Sequence, residues 1–177
     1  MIAFPRTAVG AALLALASLP AQATVHLFTA SLSSLGEPVP TSTATGSATF
    51  AFDDAALSVL VNETYAGIAS NPSGNHIHCC TAAAGTGSAG VALNFSPLAT
   101  GTSANYTNTF TLSSAAFSSL LAGATAGKAY VNIHTPGTYA GGEIRGFLVS
   151  AVPEPETYAL MLAGLGLLVL RRSRFGR

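Results

Sequence analysis

Gly46-Ser47-Ala48-Thr49-Phe50-Ala51-Phe52, then Asp53-Asp54, then the run from Ala56 to Tyr65, is the stretch on which the fold turns. Ala48, Phe50 and Phe52 alternate with smaller or polar neighbours. Residues two apart on a strand project to one face, so this period predicts a half-buried β-strand. Asp53-Asp54 signals a turn. The run that follows repeats the pattern, with Leu57, Val59 and Val61 predicted to face inwards.

The same logic extends outward. Residues 25–32 predict a first strand, broken by Gly36-Glu37-Pro38-Val39-Pro40. Further strands are predicted at 75–80, 90–95, 101–112, 128–134 and 143–149. Strands at this spacing, with Gly, Pro, Asn and Asp between them, predict an all-β antiparallel sandwich or barrel. Residues 113–123 are the exception. Ser113 suits an N-cap, Phe117, Leu120 and Leu121 share a helical face, and Gly123 suits a C-terminal cap. A short helix over the sandwich is predicted there, and a mobile loop at the Gly/Ala/Ser/Thr-rich residues 81–90.

Both ends read as addresses. In residues 1–23, Arg6 precedes a short apolar run, Pro20 breaks it, and Ala21-Gln22-Ala23 has the small-x-small pattern cut by signal peptidase. The apolar run is too short for a span of roughly 20 residues. Residues 152–177 carry Pro153-Glu154-Pro155, an apolar stretch over 157–170, and Arg171-Arg172-Ser173-Arg174. The prolines stop any helix coming from the body, and the arginines place the far end on the cytoplasmic side. This predicts a membrane-anchored intermediate held by a C-terminal transmembrane helix, with the body at 24–151 exported.

Charged residues are only 8% of the 177, against roughly 25% in ordinary domains. The body keeps Lys128 and Arg145 against Glu37, Asp53, Asp54, Glu63 and Glu143. Two cations cannot neutralise the phosphates that a nucleic acid presents, so no nucleic-acid partner is expected. No dinucleotide or P-loop motif is present.

Chemistry concentrates in four places. His76-Ile77-His78 puts two imidazoles on one strand face, a common way to offer two nitrogens to one metal. Two solvated histidines would look the same. Cys79-Cys80 follows directly. Adjacent Cα atoms lie about 3.8 Å apart, closer than the usual 4.4–6.8 Å of a bridge. A vicinal disulfide, thiols serving a soft metal, and bridges to another chain all remain open. A thiolate beside the histidines would favour copper or zinc. In Tyr130-Val131-Asn132-Ile133-His134-Thr135, Val131 and Ile133 are inward and His134 shares the outer face with Asn132 and Tyr130. In Gly142-Glu143-Ile144-Arg145-Gly146, Glu143 and Arg145 share a face and form a surface pair of structural value, worth roughly 0–1 kcal/mol.

Those motifs, with Ala44-Thr45-Gly46 and Leu120-Leu121-Ala122-Gly123, resemble the CHRD domain, first described in chordin and widespread in bacterial exported proteins. The resemblance implies an immunoglobulin-like or superoxide-dismutase-like β-barrel with no settled activity. On the dismutase pattern His76, His78 and His134 would be three copper ligands. The bridging histidine, the zinc cluster and a partner cysteine in the final hairpin are missing, so an enzyme is not expected. The tail resembles the PEP-CTERM sorting signal of Gram-negative bacteria. That implies recognition by an exosortase, cleavage near Pro153-Glu154-Pro155, and delivery to the cell surface or extracellular matrix, often with exopolysaccharide. The sequence thus predicts a non-enzymatic surface protein. Its alternative is a copper- or zinc-binding envelope protein using His76, His78 and His134, with or without Cys79 or Cys80.

Overall fold

The structure, a computed structural model, describes residues 24–151 and 161–165. The predicted leader at 1–23 lies outside them, as does the sorting tail except for a helical stretch at 161–165. Among the described residues no helix is long and apolar enough to cross a membrane.

In chain order the elements are β1 (Val25–Leu32), β2 (Thr45–Asp53), β3 (Ser58–Ala66), β4 (Gly74–His78), β5 (Val91–Asn94), β6 (Ser103–Thr111), α1 (Ser114–Thr125), β7 (Tyr130–His134), β8 (Ile144–Phe147) and β9 (Val149–Ser150). They form two antiparallel sheets, ordered β6-β3-β2-β1-β9 and β5-β4-β7-β8. The all-β expectation therefore holds, with one short helix. The predicted last strand divides at buried Leu148, and its end crosses to the other sheet as β9. Ser33 and Arg145 bridge the sheets at one corner through two backbone hydrogen bonds of 3.1 and 2.9 Å. There Gly146 lets β8 approach β1, because a Cβ would collide with the Ser31 carbonyl.

The inward residues of the opening stretch behave as their period dictates. Ala48, Phe50, Phe52, Val59 and Val61 are all buried. Across from them lie Ile77, Val131, Ile133 and Ile144, also buried. Each large apolar side chain so buried contributes about 1.5–3 kcal/mol. Phe117 of α1 packs near Phe52, with ring centres 6.0 Å apart, so the helix covers one end of the core.

Three local expectations change. Leu57 belongs to the turn, at φ 49°, and β3 starts one residue later. Helix α1 keeps its Ser113 cap but runs past Gly123 to Thr125, so Gly123 is an internal, buried residue rather than a cap. Leu121, read as part of the apolar face, is only partly buried. The run 81–90 is tied down rather than free: Thr81 and Gly85 donate backbone hydrogen bonds to the carbonyls of Lys128 and Gly127, at 3.0 and 2.9 Å.

One inward position breaks the apolar pattern. Glu63 of β3 is 1% exposed and accepts a short hydrogen bond from Asn75 Nδ2, while its Oε1 has no partner. Burial, opposed by the Asn75 bond, raises its carboxyl to about 7. A carboxyl raised on folding favours the fold below its ordinary value of 4.5 and loses that contribution as pH climbs through about 7. The loss is at most on the order of 3 kcal/mol, the equivalent of that displacement. Urea denaturation at pH 5 and pH 8.5 should show Glu63→Gln gaining on the parent protein at the higher pH. Parallel behaviour at both pH values would mean that Glu63 is ionised in the folded state.

Candidate metal centre

The imidazoles gather because of how β4 and β7 pair. The register sets His78 against Tyr130, His76 against Asn132 and Gly74 against His134. His134 has no side chain opposite it, and diagonal neighbours on one sheet face are within reach of large rings. Both imidazoles share the space over Gly74: a Cβ there would lie 3.4 Å from His76 Cε1 and 3.6 Å from His134 Cδ2. His76 Nε2 and His134 Nε2 are 2.9 Å apart. One ligand nitrogen from each of His76, His78 and His134 lies within 4.8 Å of the others.

Two backbone carbonyls orient this group. His78 Nδ1 is 2.8 Å from Ala89 O, and His134 Nδ1 is 2.9 Å from Ala140 O. A carbonyl only accepts, so each Nδ1 carries the proton and each Nε2 presents its lone pair. His134 Nε2 then accepts from His76 Nε2–H. His78 Nε2 is buried and has no partner. His78 stacks on Tyr130, with ring centres 4.6 Å apart and planes 10° from parallel.

The electrostatics favour the neutral form of His76 and His78. Burial, then the neighbouring His78 and His134, lower His76 to about 4. Burial also lowers His78, against the Ala89 carbonyl that favours its cation. Arg145 lies beyond Tyr130, its Cζ 5.0 Å from the ring centre. Its Nε is 3.7 Å from Glu37 Oε1, which also accepts from Asn132 Nδ2 at 2.5 Å. Burial raises Glu37 to about 7 despite the opposing pull of Arg145.

The expected Glu143–Arg145 pair does not form. Glu143 is buried, 1% exposed, and takes hydrogen bonds from Ser42 Oγ at 2.8 Å, Ala69 N at 2.9 Å and Thr135 Oγ1 at 2.5 Å. Its side chain thus turns into the body, and Arg145 pairs with Glu37 instead. Gly142, at φ +131°, leaves room that a Cβ would take from Asn132 Nδ2, only 2.7 Å away.

Cys79 and Cys80 are joined to each other, so neither offers a thiolate to an ion. Their sulfurs lie against Gly123 of α1, and the cluster of possible ligands contains histidines alone. Gly74, Glu37 and the two orienting carbonyls were not among the residues singled out from sequence. Only Gly74 left a trace, standing two residues before His76 and so on the same strand face.

The geometry belongs to a small two-sheet domain with a polar cluster on one outer face. Residues 28–148 match the model of the CHRD domain, and the chain belongs to that family. Residues 151–174 match the PEP-CTERM protein-sorting motif. The protein is therefore exported and sorted to the cell surface, with an exosortase as the partner that reads its tail. No curated protein and no solved structure matches.

A histidine lowered on folding favours the fold above its ordinary value of 6.5 and loses that contribution as pH falls towards about 4. In a ring-carbon NMR titration of metal-free protein, the His76 signals should move near pH 4. A midpoint near 6.5 would show a solvated imidazole and undo the description of the cluster.

Proposed function

We propose that the CHRD domain of this sorted surface protein is a non-enzymatic binding module that holds one copper or zinc ion on His76, His78 and His134. The observation that carries this is His78: its Nε2 is buried and unpartnered, and the ring offers a nitrogen within 4.8 Å of nitrogens on His76 and His134. A purely hydrogen-bonded cluster accounts for the His76–His134 contact but leaves that atom unsatisfied, at a cost of about 1–3 kcal/mol.

The donor set fits such an ion. Metal–nitrogen bonds of about 2.0–2.1 Å put two ligand nitrogens about 2.9–3.4 Å apart for angles of about 90–110°. The His76–His134 separation of 2.9 Å falls at that edge. The spread of up to 4.8 Å means that His78 would be drawn inward on binding. Ring nitrogens whose other N–H is held by a carbonyl are the usual arrangement around metal-bound histidine. Imidazole alone suits copper and zinc, not calcium or magnesium.

The dismutase pattern that the family resemblance implies has a His-x-His strand and a distant third histidine, and His76, His78 and His134 supply those elements here. The remaining histidine, His26, sits on β1 in the other sheet. The described residues contain no second histidine-rich cluster. Delivery to the envelope, with copper or zinc as cargo or structural ion, is the reading we favour for the whole protein, alongside contact with exopolysaccharide in a Gram-negative cell.

Metal analysis of protein purified without a polyhistidine tag tests this. One copper or zinc ion per chain is expected, with His76→Ala and His134→Ala each lowering affinity at least about 100-fold. Substoichiometric metal and unchanged affinity in both variants would refute the site.

A further inference from the structure

The sulfur pair beside this cluster has a chemistry of its own. A disulfide stabilises a fold mainly by restricting the unfolded chain, and more so the longer the loop it closes. Cys79 and Cys80 are adjacent, so their bond closes no chain loop and adds little of this kind. Holding the sandwich together is not its contribution.

Its surroundings distinguish the two sulfurs. Cys79 is half-buried against the core, whereas Cys80 is exposed, its Sγ 3.9 Å from the Ser119 carbonyl. The pair fits against α1 because residue 123 is glycine: a Cβ there would overlap both sulfurs. The backbone on either side is fixed without help from the bond. Cys79 N donates to Gly90 O and Thr81 N to Lys128 O, both at 3.0 Å, and Thr81 Oγ1 donates to Ala83 O at 2.7 Å. Opening the bond therefore leaves the end of β4 and the loop after it anchored.

We propose that Cys79–Cys80 is a thiol–disulfide exchange site whose co-substrate is an external dithiol. A thiolate of the dithiol attacks Sγ of Cys80, the exposed residue of the pair. A new sulfur–sulfur bond forms there, the Cys79–Cys80 bond breaks, and its electron pair leaves on Cys79 Sγ, which takes up a proton. The second thiolate of the dithiol then attacks its own sulfur in the mixed disulfide and releases Cys80, which is protonated in turn. Two electrons and two protons pass to the protein, and the dithiol departs as a disulfide. Exposed disulfides are the class that exchanges in this way. The site stands apart from the ion-binding reading, since the sulfurs face α1 and the imidazoles face the opposite side of the sheet.

Purified protein in native buffer, treated with dithiothreitol and then alkylated, tests the proposal by mass. Two alkylated cysteines per chain should appear together while near-ultraviolet circular dichroism is retained, with a thermal midpoint moved by less than about 5 °C. Thiols that appear only in denaturant, or only as the fold melts, would overturn it. In a second experiment, Cys79→Ser leaves Cys80 alone, and oxidised glutathione should cap it in the folded protein. A Cys80 that stays unmodified until the chain unfolds would equally overturn the proposal. Neither result depends on whether copper or zinc binds.

Discussion

The register of β4 against β7 is the constraint on which the rest depends. A slip of one residue moves every side chain of a strand to the opposite face. It would turn His76 and His78 towards the core and expose Ile77, which is fully buried. Val131 and Ile133 on β7 are fully buried as well and oppose any such slip from the other strand. The apolar face thus fixes the polar one. The histidines need contribute nothing to the alignment that assembles them.

The sheet brings the rings together, and the loops give them direction. Ala89 lies in the segment after β4, and Ala140 lies between β7 and β8. Each segment is anchored away from the imidazoles: the first by backbone bonds to Lys128 and Gly127, the second by Glu143 at its end. Glu143 gathers Ser42, Ala69 and Thr135, three stretches far apart in the chain, onto one carboxylate. A residue that reads as half of a surface ion pair is instead what holds the loop carrying the Ala140 carbonyl. Burial is the reason, since a carboxylate inside the body must be met by several donors.

Much of this was legible in sequence because one strand period governs it. Alternation in 46–52 and 56–65 gave the sandwich, and alternation in 76–78 and 130–134 put the three histidines on outward faces. The misses share a cause. Whether Arg145 meets Glu143 or Glu37, and whether 81–90 is tethered, depend on contacts between segments some 40 to over 100 residues apart, and no local pattern records those. Leu57 and Gly123 depart from expectation for a smaller reason: the strand start and the helix end each fall two residues later than their local signals suggest.

The same alternation settles the question that Cys79 and Cys80 left open. His76 and His78 project outward while Ile77 and Cys79 project inward, where α1 lies. A sulfur on the inner face cannot reach an ion on the outer one without breaking the Cys79 N–H bond to Gly90 that ends the strand. The outer cluster is therefore limited to imidazole nitrogens. The nearest fixed positive charge, Arg145, is paired with Glu37, whose carboxyl burial raises to about 7 against the pull of that guanidinium.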